Sequence, residues 1–218
     1  MIAEAEVANV RIDPPGLRGL LGVPADARGI VIFAHGSGSG RLSPRNNHVA
    51  TALRRRGLAT FLLDLLTPQE EADRQNVFDI DLLATRLVEA THWIADNAET
   101  SQLTPAYFGA STGAAAALTA AARPGSAIAA VVSRGGRPDL ALDLLPQVTA
   151  PTLLLVGSLD GPVIGMNERA LAALGGEKRL IIIEGAGHLF EEPGTMEQVV
   201  RHAADWFLEH LGRPAQGS

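Results

Sequence analysis

The stretch Ala106-Tyr107-Phe108-Gly109-Ala110-Ser111-Thr112-Gly113, followed by the alanine-rich run Ala114 to Ala122, decides how this chain is read. Its first half is apolar and suits a buried strand. Ala114 to Ala122 consists of strong helix formers, with Thr119 the weakest among them. Between the two lies Gly-x-Ser-x-Gly. A strand that becomes a helix within one residue forces the serine into strained backbone angles and lifts its hydroxyl above the sheet. Gly109 and Gly113 carry no side chains, so strand and helix can approach closely there. The five residues alone would also fit a plain Gly/Ser turn. Their position between a strand and a helix makes Ser111 a candidate nucleophile.

Outward from this elbow, short apolar runs alternate with helical patterns. Upstream, Glu4 to Asp13 alternates like an edge strand and stops at Pro14-Pro15-Gly16, with Leu17 to Val23 as its antiparallel partner. Gly29 to Ala34 and Ala59 to Asp64 read as strands buried on both faces. Pro44 to Arg56 reads as a helix with Ser43 as its cap and Gly57 as its stop. Thr67 to Asn76 reads as a polar exposed loop, and Asp81 to Ala95 as an amphipathic helix. Downstream, strands are expected at Ala127 to Ser133, Thr152 to Gly157 and Leu180 to Ile183. Helices are expected at Asp139 to Leu145, near Asn167 to Leu174, and at Thr195 to Leu211. This alternation predicts an α/β fold: a mostly parallel sheet of about eight strands with helices on both faces. The expectation is one domain over residues 1–218, with 1–25 as a strand pair and 212–218 as a flexible tail.

Bulk properties narrow the function. With 218 residues and 46% hydrophobic composition the chain can bury a large core. The absence of cysteine removes disulfides, thiolate catalysis and thiolate-bound zinc. A net charge of −6 argues against general nucleic-acid binding, and 4% aromatic content against a base-stacking groove. No signal peptide or membrane-spanning run is visible. The reading is therefore a soluble, cytoplasmic protein with no nucleic-acid or membrane partner, a monomer or homodimer.

A serine hydroxyl is a poor nucleophile until an imidazole takes its proton and a carboxylate orients that imidazole. Ligands of such sheets bind beyond the carboxyl ends of the strands, so the partners of Ser111 belong there. Asp160 follows the strand at 152–157 and His188 follows the strand at 180–183. Each has a bland alternative: Asp160 before Gly161-Pro162 suits a turn, and a lone histidine is usually a surface or core residue. Three residues of the right types, each after its own strand, are harder to obtain by accident. Of the other histidines, His48, His92, His202 and His210 fall in expected helices, and His35 precedes the elbow. The oxyanion donors expected are the backbone N–H groups of Thr112, opening its helix, and Ser37, in the loop His35-Gly36-Ser37-Gly38-Ser39-Gly40. A phosphate-binding loop is the alternative there, but its Gly-Lys-Ser/Thr pattern is missing. His35 is expected to brace the loop by hydrogen bonding.

His35 to Ser39, Gly109 to Gly113, Ser158-Leu159-Asp160 and Gly187-His188-Leu189-Phe190 together resemble the dienelactone-hydrolase-like branch of the α/β-hydrolase superfamily. The resemblance spans nearly the whole chain. Segments around Ser133 to Pro138 and Phe190 to Gly194 are similar to small hydrolases sometimes fused to phosphoribosyltransferase domains. Dienelactone hydrolase itself uses a cysteine where this chain has Ser111, which favours serine-type ester hydrolysis. The segment from Ser133 to Asp160 is too short for a large lid domain.

These readings predict a cofactor-free and metal-free serine hydrolase of carboxylic esters with small or short acyl groups. Ser111, His188 and Asp160 are its expected catalytic residues, and Gly36, Arg45, Glu70, Arg134 and Phe190 candidate substrate contacts. Arg134 has two readings, contact with an acidic substrate group or an ion pair with Glu70, Glu71 or Asp139; the ion pair is preferred because such pairs are common. A thioesterase, a peptidase, an acyltransferase to alcohols and a non-catalytic binding module of the same fold are the alternatives.

Overall fold

The computed structural model describes residues 6–211. The expected tail at 212–218, and Glu4 and Ala5 of the first expected strand, lie outside them. Eight strands form one sheet in the order β1-β2-β4-β3-β5-β6-β7-β8. They are β1 (Val7–Ile12), β2 (Leu17–Gly22), β3 (Ile30–Ala34), β4 (Ala59–Leu63), β5 (Pro105–Ala110), β6 (Val131–Arg134), β7 (Thr152–Gly157) and β8 (Lys178–Ile183). β1 pairs antiparallel with β2 and β2 with β4; every other pairing is parallel. β3, β4 and β7 are buried at every position and almost wholly apolar, because both of their faces are covered.

Alternation along each strand divides the core in two. Ile30, Ile32 and Ala34 of β3 join Ala59, Phe61 and Leu63 of β4 in a layer under helices α4 (Ile80–Asp96), α5 (Thr112–Ala121) and α6 (Gly161–Ala173). Val31 and Phe33 point the other way, with Phe108 and Val132, onto α1 (Pro44–Arg55) and α7 (Thr195–Leu211). All ten residues of α5 are buried, so its alanines let a central helix lie close between its neighbours.

The chain winds from β3 to β4 on one side and then returns to β5 on the other. The carboxyl ends of β3 and β5 therefore flank a topological switch point, where such sheets bind ligands.

Four expectations need correction. The segment expected as a loop at 67–76 forms two short helices, α2 (Pro68–Glu71) and α3 (Arg74–Phe78). Thr67 and Glu70 build a reciprocal capping box that starts the first, and Asp73 caps the second. Regular pairing of β6 begins only at Val131; before it, Ala129 N–H reaches Pro105 O and Ala130 O accepts from Tyr107 N–H. The helix expected at 139–145 is a longer 3-10 segment, Pro138–Gln147, interrupted at Ala141. Finally, α6 starts at Gly161, with Pro162 in its first turn, rather than near Asn167.

Candidate active site

Ser111 stands between β5 and α5 with φ 51° and ψ −123°, a backbone conformation that non-glycine residues seldom hold. The surroundings over-determine it. Its N–H donates to Arg134 O at 3.3 Å, and its own carbonyl accepts from Ala114 N–H and Arg137 N–H, both at 3.1 Å. A Cβ on Gly109 would run into the backbone of Ala114, and one on Gly113 into the carbonyl oxygens of Ala34 and His35. Strand, elbow and helix are thus pressed together at the two positions the sequence leaves without side chains.

Asp160 and His188 meet beyond the ends of β7 and β8. Nδ1 of His188 lies 2.7 Å from Oδ2 of Asp160. Asp160 occupies the cap position of α6, yet its side chain makes no capping bond and turns to the imidazole. The imidazole is 39% exposed and the carboxylate 12%, so the ring opens to solvent above an enclosed acid. A cleft of about 240 Å³ holds Ser111 and His188 together, lined also by Gly36, Ser37, Ser39, Ser43, Arg45, Asn46, Ala110, Arg134 and Leu189.

The loop after β3 forms the opposite wall. His35 Nε2 accepts from Leu65 N–H and Nδ1 contacts Gly36 O, both at 3.0 Å, which fixes a neutral ring protonated on Nδ1. Burial pushes this imidazole below its ordinary pKa, against the smaller opposing effects of the Gly36 carbonyl, Asp64 and Glu71. Ser37 N–H donates to Thr112 Oγ1 at 3.1 Å. Thr112 opens α5, so its own N–H has no partner within the helix. The two expected oxyanion donors therefore lie on facing segments beside Ser111. A Cβ on Gly36 would lie 3.0 Å from Ser111 Cβ and 3.2 Å from Ala110 O, so glycine eases the close approach of this loop.

Arg134 ends β6 and is 8% exposed. The expected ion pair is not formed: Glu70 pairs with Arg86, Asp139 with Arg137, and Glu71 lines a separate recess beside His35. Nη1 of Arg134 is buried without any partner. Desolvation, aided by the nearby Arg45 charge, lowers its pKa to about 10. Arg45 lines the same cleft and gives Nη1 to Glu191 at 2.5 Å.

Two expected contacts fall elsewhere. Glu70 caps α2 and binds Arg86, away from the cleft. Phe190 is buried in the layer under α1 and α7, and it is the exposed Leu189 that reaches the cleft. Phe190 also has φ 55°, and Gly135 fits between its ring and the His188 carbonyl. Sequence reading missed Ser43 and Asn46, although the expected cap at Ser43 already placed the start of α1 just after the β3 loop. Among the described residues no cluster of His, Asp and Glu could hold a metal ion, and no helix is long and apolar enough to cross a membrane.

An eight-stranded, mostly parallel sheet with a strained serine elbow and a His–Asp pair beyond later strands is the architecture of the α/β-hydrolases. Residues 17–210 match the Dienelactone hydrolase family, and the chain belongs to that family. It is 53% identical to the crystal structure of dienelactone hydrolase from Anabaena variabilis, covering 95% of this chain and 99% of that one, with a TM-score of 0.91. Est1E from Butyrivibrio proteoclasticus shares the fold at 15% identity and a TM-score of 0.80, over 95% of this chain and 99% of that one. A Mycobacterium tuberculosis protein, named provisionally as a phosphoribosyl transferase, is 56% identical over 209 residues, 96% of this chain. This chain spans 47% of that relative's length.

Proposed function

We propose that the chain is a serine hydrolase of small carboxylic esters. The observation that supports this best is the 2.7 Å His188–Asp160 pair in reach of the cleft that also holds the strained Ser111. In this reading Ser111 Oγ attacks the ester carbonyl carbon while His188 Nε2 takes its proton. Asp160 accepts the Nδ1–H of His188, fixing the tautomer and stabilising the imidazolium. The developing oxyanion takes the N–H of Thr112 and that of Ser37, which leaves Thr112 Oγ1 for the stronger acceptor. His188 then protonates the departing alcohol. Water, deprotonated by the same imidazole, releases the acid and restores Ser111. The cleft of about 240 Å³ falls below the ordinary range for ligand pockets, which suits a small substrate.

Hydrolysis of p-nitrophenyl esters from acetate to long acyl chains tests the reading, with fluorophosphonate labelling alongside. Turnover is expected to peak at short acyl chains and to fall roughly 10³-fold or more in Ser111→Ala. Labelling is expected to be stoichiometric and lost in the same variant. No turnover together with no labelling would sink the proposal in favour of a binding module.

A further inference from the structure

The two edges of the sheet differ in how they meet solvent. β1 closes one side and carries polar residues within the strand, Asn9 and Arg11, with Arg11 paired to Asp13. β8 closes the other side, and among the described residues no strand pairs with its outer edge. Its sequence, Lys178-Arg179-Leu180-Ile181-Ile182-Ile183, leads straight into Glu184. The four apolar residues at its centre include no charge or proline, and its register with β7 runs without a bulge. Those are the devices that ordinarily blunt a free edge. Ile182 is 40% exposed, and Leu180 and Ile181 are only partly covered. Such an edge invites another strand.

The backbone says how a strand would pair there. Glu177 O accepts from Thr152 N–H at 2.8 Å, and Ile183 O from Ser158 N–H at 3.0 Å, so the odd-numbered residues of β8 direct their backbone groups at β7. Lys178, Leu180, Ile182 and Glu184 therefore hold N–H and C=O toward the free side. A second copy related by a two-fold axis at Ile181 sets Lys178 opposite Glu184 and Leu180 opposite Ile182. All four point their backbone groups outward, so each pair can exchange both of its hydrogen bonds. A two-fold contact needs a self-complementary surface, and opposite charges at equal distances from Ile181 provide one. Lys178 gives Nζ to Leu174 O at 2.7 Å, yet it is exposed and its ammonium carries further donors for a carboxylate.

We infer that β8 is the docking edge for a second copy of this chain, the two strands pairing antiparallel about a two-fold axis at Ile181. The axis stands normal to the sheet, so the sheet runs on through both copies and each helix layer continues into its own counterpart. The inference does not depend on the hydrolase reading of Ser111.

Sedimentation equilibrium of the full chain between roughly 1 and 100 μM, the span over which moderate interfaces titrate, should show monomer and dimer in exchange. Ile182→Lys should abolish the dimer. Lys178→Glu and Glu184→Lys each set like charges opposite one another and should weaken it roughly 10-fold or more. The two reversals combined should restore it, which requires that these two positions face each other. Circular dichroism checks that every variant is folded. Single cysteines read the register directly, because the chain has none of its own. Ile181→Cys sets two thiols across a non-hydrogen-bonded pair and should cross-link under mild oxidation. Leu180→Cys sets them on the diagonal, roughly 7–8 Å apart, and should not. A monomer at every concentration, a dimer indifferent to Ile182→Lys, or a double reversal that fails to restore association overturns the inference. So does cross-linking of Leu180→Cys in preference to Ile181→Cys, or of neither.

Discussion

At the scale of single residues, His35 links chemistry to stability. Its neutral ring accepts from Leu65 N–H through Nε2, and a proton there would set donor against donor. Burial lowers its pKa in the folded protein from the ordinary 6.5, while the unfolded chain keeps that value. Between the two values the unfolded state binds more protons, so stability is full above pH 6.5 and is lost as pH falls toward the folded pKa. Urea unfolding at stepped pH should show this slope, shallower in His35→Gln, where His202, also lowered by burial, maintains part of it. Equal slopes in both proteins would mean that His35 does not carry the effect. The loop bearing Ser37 hangs on the same imidazole, so the proposed esterase activity should decline over the same range. Legibility differed among the site residues for a physical reason. Ser111, Asp160 and His188 each follow an apolar run, and position after a strand is a local property that a sequence displays. The isolation of Arg134 is not local. Whether Glu70 pairs with Arg86 or with Arg134 depends on distances between α2, α4 and the end of β6, which only the folded chain sets.

At the scale of elements, the glycines separate those that permit packing from those that merely interrupt a helix. Gly113 sits where α5 starts against the end of β3, and a Cβ would meet carbonyl oxygens that cannot move without displacing the strand. Gly113→Ala should therefore destabilise the protein by at least about 3 kcal/mol or abolish soluble expression. Gly165 lies within α6, and the nearest atom to a Cβ there is an arginine side-chain nitrogen at 3.8 Å. Gly165→Ala should stabilise by about 0.5–1 kcal/mol through the gain in helix propensity. Chemical denaturation of the two variants checks both signs, and a neutral Gly113→Ala would show that the elbow is looser than its geometry implies. Most elements were legible because a continuous apolar run between Gly or Pro residues is hard to read as anything but a buried strand. The failures occurred where one signal had two meanings. Gly161-Pro162 suggested a turn, but Pro is equally at home in the first turn of a helix, and α6 begins there. The polar run at 67–76 suggested a loop, although Thr67-x-x-Glu70 is itself a capping pattern.

At the scale of the whole molecule, the question is whether the two core layers behave as one structure. They share every central strand, with alternate residues of β3 and β5 serving opposite faces, so neither layer can loosen without exposing the back of the backbone that supports the other. The two tryptophans of the chain report on opposite sides. Trp93 on α4 stacks on Phe61, ring centroids 5.5 Å apart. Trp206 on α7 lies 4.5 Å from the His210 ring and 5.0 Å from the Arg179 guanidinium, with its Nε1–H on Pro151 O at 3.3 Å. Trp206→Phe leaves Trp93 as the fluorophore, and Trp93→Phe leaves Trp206. Within each variant, the fluorescence midpoint in urea should coincide with the midpoint from far-ultraviolet circular dichroism, as a single cooperative transition requires. Comparing two probes on one variant removes any effect of the substitution on stability itself. An earlier fluorescence midpoint for Trp206 alone would mean that α1 and α7 detach while the sheet and the α4–α5–α6 layer persist. The wall of the cleft contributed by α1 would then be a separately melting part, lost before the serine elbow.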